Sequence, residues 1–588
     1  MTIFDDTPLR SVSRILIANR GEIAGRIIRA CRDEGIASVA VYADPDRDAP
    51  FVALADEAFT LEGSRPADTY LDTKRILAIA ARAGVDAVHP GYGFLSESAD
   101  FARAVQDAGL IWIGPDPETI EALGDKIHAR EIARAVGAPL ATGSDGPVGS
   151  AAEAMAFARD HGLPVAIKAA FGGGGRGMKV AWTLDEVEER FDSAVREAVA
   201  AFGRGECYVE QFLDRPRHLE VQVLADRYGT VKVLGTRDCS LQRRNQKLVE
   251  EAPAPFLTPD QQDRLITAAR SICAQAGYCG AGTVEFLMSE SGTISFLEVN
   301  TRLQVEHPVT EETTGIDIVS AQIRVARGAR LIDDRMPTPR GHAIEFRINA
   351  EDPGRGFLPT PGPITVWSPP EGIGVRLDSG VAQGGTVPSQ FDSMMAKLIV
   401  WAPDRPQALA RAARALAEFA VEGVASTVLF HRLVLTAQEF RDDLSVHTRW
   451  IETDFADRLA AAIPAGPRVT PPDDMPLLRV PIEIDGRRHM LALPPGILAA
   501  PPPTQPEKAE TSADEVSAPV SGTLSLWTAA DGAEVQAGHV IAVVEAMKME
   551  TTVTAPRSGR LTHLQPEGAS ITTGSRVARI IPPNDAGL

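Results

Sequence analysis

One stretch of the chain, residues 495–518 (PGILAAPPPTQPEKAETSADEVSA), is rich in proline, alanine and glutamate and has almost no large apolar side chains. Such a composition cannot bury enough apolar surface to form a core, and it is typical of semi-rigid, solvated tethers. A surface loop is the alternative, but structureless loops of about 20 residues are uncommon inside compact domains. We therefore predict a linker over residues 496–517, with a large body before it and a small domain after it.

The length and composition predict a globular protein of several domains. The chain has 588 residues, which corresponds to about four domains at roughly 150 residues each. Hydrophobic residues make up 44% and charged residues 23%, proportions typical of chains with apolar cores. The net charge of −20 argues against a general nucleic-acid binder, which needs a basic face, but it does not exclude a small substrate that bears phosphates.

The five cysteines are scattered and form no CxxC motif, so neither a zinc ribbon nor a disulfide framework is expected, and a reducing compartment fits best. The sequence contains no uninterrupted apolar run of about 18 residues, so we expect no transmembrane helix. Its first residues, MTIFDDTPLRSVSR, lack the apolar core of a signal peptide. We expect a cytoplasmic protein without membrane or nucleic-acid partners.

Strand and helix patterns predict three folded regions before the linker. Within residues 1–125, the segment from Arg14 to Ala43 contains the apolar run RILIAN, a helical pattern and the apolar run SVAVYA, an order typical of a βαβ unit in a parallel sheet. Residues 126–340 combine long strand-like runs such as HLEVQVLAD with helices, which predicts an α+β domain with antiparallel strands. Residues 341–457 continue with AIEFRINA, MMAKLIVWA and a helix at RPQALARAARALAEF. Such sheets serve many functions, so other signals must decide between them.

After the linker the chain contains an internal repeat. APVSGTL at Ala518–Leu524 recurs as APRSGRL at Ala555–Leu561, and DGAEVQAG recurs as EGASITTG. Each half holds short strands separated by glycine turns, so residues 518–584 are predicted to form a small all-β sandwich or flattened barrel with pseudo-twofold symmetry. The join between the halves, EAMKMET, is predicted to be an exposed hairpin with Lys548 at its tip.

An exposed lysine at a hairpin tip is usually only solvated. Here Met547 and Met549 flank Lys548, the turn lacks Asn-Gly or Asp-Gly, and the domain follows a tether, which together indicate a carrier that visits more than one site. The segment resembles the biotinyl carrier domain family, whose modified lysine lies in Ala-Met-Lys-Met, as in Ala546–Met549. The resemblance implies that a biotin protein ligase attaches biotin to Lys548. The lipoyl domain family shares this fold, but its lysine usually follows aspartate and lacks the paired methionines.

A glycine-rich segment at Gly172–Gly177 formally contains the GxGxxG pattern. A Rossmann fingerprint needs a helix after the glycines, whereas the β-rich run MKVAW follows here, and the GxxxxGK[ST] motif of a P-loop does not occur. A strand–glycine loop–strand hairpin can fold over nucleotide phosphates, because glycine lets backbone N–H groups approach them closely. Lys168, at the end of the preceding strand, would then pair with a phosphate. The alternative is a mobile loop without a ligand.

Acidic and polar residues cluster in the segments TVEFL and FLEVNTRLQVEHP. Glu285, Glu298 and Asn300 offer hard oxygen ligands, which suit Mg²⁺. If the second segment is one strand, the side chains at positions 300, 302, 304 and 306 share one face. An ordinary solvated sheet face is the alternative.

Together, the motifs between about residues 13 and 455 resemble the biotin carboxylase family of the ATP-grasp superfamily. The matched stretches are NRGEIA, HPGYGFLSE, GDK, KAAFGGGGRGM, RHLEVQV, RDCSLQRR, EVNTRLQVEHPVTE, EFRINAEDP and FDSMMAKL. The resemblance implies a multidomain α/β plus α+β fold: a pre-ATP-grasp α/β domain at 1–125, an ATP-grasp domain at 126–340 with a lid at about 137–212, and a biotin carboxylase C-terminal domain at 341–457. A short connecting region of unassigned role at 458–495, the linker and the tethered biotinyl (lipoyl-like) domain complete the chain.

The resemblance also implies a role for each matching residue. ATP would be bound by Lys126, Lys168, Gly172, Gly173, Gly174, Gly175, Gly177, Glu210, Leu213, His218 and Gln242. Mg²⁺, or Mn²⁺ in its place, would be bound by Glu285, Glu298 and Asn300. Bicarbonate would be bound by Lys247, Arg302, Gln304 and the backbone of Val305, with Glu306 as general base and Arg347 stabilising the enolate-like oxygen of biotin. The sequence departs from the family at Gln211 and at Asn245, which leaves their nucleotide contacts open.

These roles imply an ATP-dependent biotin carboxylase, a ligase that forms a carbon–nitrogen bond. The chain has no region long enough for a carboxyltransferase. It resembles the α subunits of actinobacterial-type acetyl- or propionyl-CoA carboxylases, which implies a separate β subunit, a hetero-oligomer and an acyl-CoA whose identity and stoichiometry this chain does not reveal. Two alternatives are a non-catalytic carrier, which should have lost residues such as Lys126 or Glu306, and a different ATP-grasp ligase with a lipoyl-type carrier.

Overall fold

The computed structural model describes residues 3–144, 146–169, 178–202, 205–463, 478–484, 487–493, 514–547 and 549–581. Two predicted sites, the glycines at 172–177 and Lys548, lie outside these described residues. Within the described ranges, no helix combines the length and the apolar character needed to cross a bilayer.

The N-terminal region forms a parallel sheet flanked by helices. Its elements are β1 (Arg14–Ile17), α1 (Gly21–Asp33), β2 (Ala37–Tyr42), α2 (Pro50–Leu54), β3 (Glu57–Thr60), α3 (Thr73–Ala83), β4 (Ala87–His89), α4 (Ala99–Asp107), β5 (Ile111–Trp112) and α5 (Pro117–Gly124). The strand order is β3-β2-β1-β4-β5, and all four pairings are parallel. The predicted βαβ unit is confirmed, and the apolar run Ile15–Ile17 is fully buried because helices cover the sheet.

The next segment is a small sheet with three helices. Its elements are α6 (Lys126–Ala135), α7 (Ala151–His161), β6 (Val165–Ala169), β7 (Met178–Ala181), α8 (Leu184–Phe202) and β8 (Cys207–Gln211). The strand order is β7-β6-β8. The two strands that flank the glycine segment pair antiparallel, with Lys168 opposite Met178, so the predicted strands on either side of the glycines are confirmed.

Long antiparallel strands follow. Their region contains β9 (Arg217–Ala225), β10 (Val231–Arg243), β11 (Gln246–Ala252), α9 (Pro259–Gln275), β12 (Gly280–Met288), β13 (Ile294–Asn300), α10 (His307–Thr314) and α11 (Ile318–Ala326). The C-terminal part of the body contains β14 (His342–Asn349), β15 (Glu351–Asp352), β16 (Leu358–Pro359), β17 (Gly362–Pro363), β18 (Val366–Ser368), β19 (Val375–Ser379), β20 (Thr386–Val387), β21 (Met394–Ala402), α12 (Arg405–Glu418), β22 (Ala420–Glu422), α13 (Val428–Val434), α14 (Gln438–Arg441), α15 (Trp450–Thr453) and α16 (Ala456–Ala462).

One eight-stranded sheet joins these two regions, in the order β13-β12-β9-β10-β11-β14-β21-β19. β11 pairs antiparallel with β14, so the sheet continues across the boundary predicted between residues 340 and 341. Alternate side chains of β14 serve opposite faces. Ile344 and Phe346 enter the hydrophobic core, whereas Glu345 and Arg347 alternate with them and belong to the polar face.

After α16, every element in the described part of the chain is a strand. The connecting region contains a hairpin of β23 (Leu478–Ile484) and β24 (Arg487–Leu493). The small domain contains β25 (Glu515–Ser517), β26 (Gly522–Trp527), β27 (Glu534–Val535), β28 (Val540–Ala546), β29 (Met549–Thr554), β30 (Gly559–His563), β31 (Ser570–Ile571) and β32 (Arg576–Ile581). Because β25 lies inside the predicted linker and pairs with β32, the folded domain starts earlier than residue 518.

The small domain is a sandwich of two four-stranded sheets, in the orders β25-β32-β30-β27 and β29-β28-β26-β31. Strands at the same place in the two orders come from matching places in the two sequence repeats. The predicted sandwich and its pseudo-twofold symmetry are therefore confirmed.

The predicted hairpin at the join of the repeats is confirmed, since Ala546 pairs with Met549 and only two residues connect the strands. The exposure expected for this hairpin does not extend to Met547, which is 5% exposed and belongs to the same buried cluster as Phe357 of the C-terminal domain. Leu358 of the C-terminal domain packs in turn against the core of the small domain. A flexible apolar side chain such as methionine readily fills such a contact.

Candidate active site

The polar face of the central sheet gathers three carboxylates around one lysine. Lys247, on β11, contacts Glu220 of β9, Glu285 Oε1 of β12 at 3.0 Å and Glu306 Oε1 at 2.9 Å. Glu306 is the residue immediately before α10, and its side chain is fully buried. Three strands and the first residues of one helix thus bring the Lys247 ammonium next to three carboxylates, whose charges it offsets.

These contacts set the protonation states of the central pair. Burial lowers the pKa of Lys247, but the attraction of Glu220, Glu285 and Glu306 outweighs it and holds that pKa well above its usual value. Burial raises the pKa of Glu306, but Lys247 and Arg347 hold it well below its usual value. Glu306 is therefore an ionised carboxylate, the form that a general base must have before it accepts a proton.

Arg347 is the second cation at Glu306. Its Nη2 donates to Glu306 Oε2 at 3.0 Å, and its Nε donates to Glu250 Oε1 at 2.5 Å. Glu250 is fully buried on β11, and burial raises its pKa to about 7 although Arg347 lowers it. Glu306 consequently lies between the ammonium of Lys247 and the guanidinium of Arg347.

The segment that carries the predicted bicarbonate ligands is a turn, not a strand. β13 ends at Asn300, so positions 300 to 306 do not lie on one strand and the alternation considered for them does not apply. Arg302 donates to Asn300 Oδ1 at 3.0 Å and to Gln304 Oε1 at 2.8 Å, and such local side-chain bonds compete with strand pairing. The polar side chains still converge, because Gln304 Nε2 donates to Glu285 Oε1 at 3.1 Å.

The predicted Mg²⁺ ligands come from two paired strands. Glu285 and Glu298 lie opposite each other in the β12–β13 register, and Asn300 ends β13. Glu298 Oε2 lies 3.4 Å from Lys126 Nζ, whereas Glu285 faces Lys247 and His218. Two carboxylates and an amide oxygen form the hard donor set that Mg²⁺ prefers, so these residues fit the ion.

Among the described residues, several predicted nucleotide ligands contact one another or the carboxylates of this centre. Lys168 and Arg130 both pair with Glu210, the latter at 3.2 Å, so one carboxylate holds two cations. His218 Nε2 lies 3.1 Å from Glu285 Oε2, and Gln242 is buried on β10. The remaining members of the set are Leu213, which is half-buried, Lys126, which is 60% exposed, and Gly172, Gly173, Gly174, Gly175 and Gly177, which lie outside the described residues.

Three residues of the site were not predicted. Glu220 is fully buried and accepts hydrogen bonds from Arg237 at 2.8 Å, and Glu97 accepts one from Arg302 at 2.9 Å. The third is Glu250, beside Arg347. Both Glu220 and Glu97 lie in motifs recognised in the sequence, RHLEVQV and HPGYGFLSE. For Glu220, a charged residue inside a β-rich run was the available signal, whereas Glu97 lies exposed in a turn and had no such signal.

Of the two residues that depart from the family pattern, Asn245 lies in a turn and Gln211 lies at the end of a strand. Arg244 and Asn245 form the two-residue turn between β10 and β11, and both have positive φ, at 47° and 64°. Asparagine tolerates this conformation better than most residues, so turn geometry accounts for Asn245. Gln211 ends β8, and its Nε2 lies 3.5 Å from the His161 carbonyl.

Four family models match the chain in the order of its domains. Biotin carboxylase, N-terminal domain matches residues 11–120, and carbamoyl-phosphate synthase L chain, ATP binding domain matches residues 125–333. Biotin carboxylase C-terminal domain matches residues 345–453, and biotin-requiring enzyme matches residues 514–580. The fold and the site therefore define a biotin carboxylase joined to a biotinyl domain.

Relatives extend the match to the whole chain. The biotin-dependent acyl-coenzyme A carboxylase alpha3 subunit of Mycobacterium leprae is 55% identical over 97% of this chain and 98% of its own length. The biotin carboxylase of Nostoc sp. is 50% identical over 73% of this chain and 96% of its own length. The biotin carboxylase–β,γ-ATP complex from Campylobacter jejuni has a TM-score of 0.71 at 42% identity, covering 75% of this chain and 99% of that chain. This chain thus belongs to the biotin carboxylase family, as an α subunit of the acyl-CoA carboxylase type.

Proposed function

We propose that this chain uses MgATP and bicarbonate to carboxylate biotin attached to Lys548 and then delivers the carboxyl group to a separate carboxyltransferase subunit. The position of the Glu306 carboxylate between Lys247 and Arg347 carries the proposal. A base flanked by two cations suits a reaction in which an anion loses a proton and then attacks a phosphoryl group.

The first step activates bicarbonate, which is a poor electrophile. Lys247, Arg302, Gln304 and the backbone of Val305 bind the anion. Glu306 accepts the bicarbonate proton as the bicarbonate oxygen attacks the γ-phosphoryl group of ATP, which gives carboxyphosphate and releases ADP. Bicarbonate beside Lys247 also shares that cation with Glu306. The carboxylate then becomes a stronger base when the substrate is present.

The phosphates need charge neutralisation as the γ-phosphoryl group transfers. Lys126, the first residue of α6, and Lys168, near the end of β6, supply two cations. Glu285, Glu298 and Asn300 would hold Mg²⁺, which when bound spreads the developing phosphoryl charge.

The second step transfers the carboxyl group. Carboxyphosphate breaks down to CO₂ and inorganic phosphate, the weakly nucleophilic ureido nitrogen of biotin attacks the CO₂, and the phosphate accepts the proton that this nitrogen loses. Negative charge develops on the ureido oxygen, and the guanidinium of Arg347 stabilises it. Glu250, on the other side of Arg347, fixes the guanidinium plane through its hydrogen bond.

The partners follow from this division of labour. A biotin protein ligase attaches biotin to Lys548, and a carboxyltransferase β subunit in a hetero-oligomer accepts the carboxyl group and passes it to an acyl-CoA. All five cysteines are free, which agrees with a cytoplasmic location. Burial of Met547 against the C-terminal domain supports a carrier that docks on the carboxylase body before it visits the partner.

Steady-state release of ADP by the purified chain tests the proposal. With Mg²⁺, bicarbonate and free biotin we expect ADP release that requires all three, and we expect Arg347→Ala to abolish the stimulation by biotin. Biotin-independent ADP release by the wild type, or full stimulation by biotin in the variant, would contradict the proposed roles.

A further inference from the structure

Two motifs that received no role in the sequence lie in contact with each other. NRGEIA opens α1 in the N-terminal domain, and FDSMMAKL leads into β21 of the C-terminal domain. The guanidinium of Arg20 lies 4.4 Å from the centre of the Phe391 ring, and Lys397 Nζ lies 3.2 Å from Glu22 Oε2. The residues are hundreds of positions apart in the chain, so the fold brings them together.

Lys397 connects this contact to the reacting end of the molecule. Its side chain is 0% exposed, and Nζ donates a hydrogen bond to the Val305 carbonyl at 2.8 Å. That carbonyl belongs to the same planar peptide as the N–H of Glu306. A hydrogen bond to the Val305 oxygen therefore limits rotation of the peptide that leads directly into the base.

Further contacts, from α1 and from the neighbouring strands, hold Lys397 in place. Glu22 lies in the first turn of α1 and is buried, and burial raises its pKa to about 7 although Lys397 lowers it. The end of β19 presses on the same turn, because a Cβ at Gly380 would lie 2.7 Å from the Glu22 backbone nitrogen. The neighbouring strands place Arg347 and Asp378 opposite Lys397 in register. The lysine is thus fixed by elements of two domains.

We propose that Lys397 is a positioning residue for bicarbonate activation. It holds the Val305–Glu306 peptide in place through the Val305 carbonyl, and Glu22 transmits the position of α1 to that bond. Lys397 itself contacts neither bicarbonate nor ATP. The inference rests on the proposed function, since it assumes that Val305 and Glu306 act on bicarbonate.

Kinetics of the full-length chain with free biotin test the inference. For Lys397→Met we expect the KM for bicarbonate to rise about 10-fold or more, with the KM for ATP within about twofold of the wild type, because misplacement of a reacting group is costly. The double variant Glu22→Gln/Lys397→Met leaves no unpaired buried charge, so its melting temperature should recover. Its KM for bicarbonate should stay raised, since the hydrogen bond to Val305 is still missing.

Lys232→Met is the matched control. Lys232 is also a buried lysine that contacts a carboxylate, at 2.6 Å, and a backbone carbonyl, both of Asp333, outside the site. The Lys232→Met substitution should lower the melting temperature and leave the KM for bicarbonate unchanged. An unchanged KM in Lys397→Met, or a KM that recovers together with the melting temperature in the double variant, would overturn the inference. If Glu306→Gln keeps its bicarbonate dependence in the same assay, the proposed function itself fails instead.

Discussion

Lys247 shows how single residues create the chemistry of this site. One buried ammonium faces Glu220, Glu285 and Glu306, and each carboxylate also has another polar or charged neighbour. Burying an isolated charge costs several kcal/mol, so such a cluster is stable only when every charge is compensated. Removal of one member should therefore change the protonation of the others.

Glu306→Gln tests the general base. The amide preserves shape but cannot accept the bicarbonate proton, so bicarbonate-dependent ADP release should fall by about 100-fold or more. The KM for ATP should change little, because Glu306 does not bind the nucleotide. Timed assays of ADP release at varied bicarbonate and ATP concentrations measure the turnover rate and the KM for ATP. A near-normal turnover rate would show that Glu306 is not the general base.

Glu251 gives a pH prediction away from the reacting atoms. Burial raises its pKa, but His342 and Arg405, both at 2.7 Å, lower it to about 2. Because the folded pKa lies below the usual value, this carboxylate stabilises the fold fully above about pH 4.5 and loses that effect as the pH falls toward 2.

Glu251→Gln should consequently lower the melting temperature at neutral pH. The gap between wild type and variant should narrow as the pH falls from about 5 to about 3, since protonation removes the charge from the wild type. Thermal unfolding at several pH values measures the gap. A gap that is constant or widens on acidification would show that the Glu251 charge does not stabilise the fold.

At the scale of elements, repetition made the small domain predictable. Gly522 and Gly559 occupy matching places in the two repeats, and a Cβ at either would lie 2.3 Å from a strand carbonyl, that of Glu545 or Ile581. Both glycines allow the same close approach of backbones. Each repeat therefore uses glycine where two neighbouring strands of one sheet approach closely, β26 beside β28 and β30 beside β32.

Gly522→Ala and Gly559→Ala should both destabilise the small domain, by about 1–3 kcal/mol each, because backbone must shift to accept the new carbon. Gly25→Ala is the control, since its Cβ would meet only the flexible end of Arg29, at 3.4 Å, inside a helix that favours alanine. Thermal unfolding of the full chain measures the three variants. Unchanged stability in both small-domain variants would refute the close approach.

The sequence predicted elements whose signals are local. The βαβ unit, the strands that flank the glycines and the repeat follow from periodicity and turn residues. The turn that follows β13 was not predicted, because alternating polar residues suit a strand as well as a turn closed by Arg302. The roles of Glu220 and Lys397 depend on contacts between distant segments, which no local pattern contains.

At the scale of the whole molecule, the carrier and the body share a contact. Met547 enters the cluster of the C-terminal domain, and Leu358 packs against the core of the small domain. A tether as predicted at residues 496–517 would let the carrier leave this contact and would raise its effective concentration at each site. The docked arrangement was not predicted, because composition shows only that the two parts are tethered.

Leu358→Asp should weaken this docking without touching the residues proposed to bind substrates. Carboxylation of the chain's own biotin should slow several-fold, whereas ADP release with saturating free biotin should remain near the wild-type rate. Comparing the two rates separates docking from chemistry. Equal losses in both would mean that the substitution damages the carboxylase body.

The central claim is that this chain fixes bicarbonate on its own carrier. Its most direct test is transfer of labelled bicarbonate onto the purified, biotinylated full-length chain in the presence of MgATP, followed by intact mass and label counting. We predict label on the wild type, none on Lys548→Arg, which lacks the attachment site, and none on Glu306→Gln, which lacks the base. Label that persists in either variant would contradict the account.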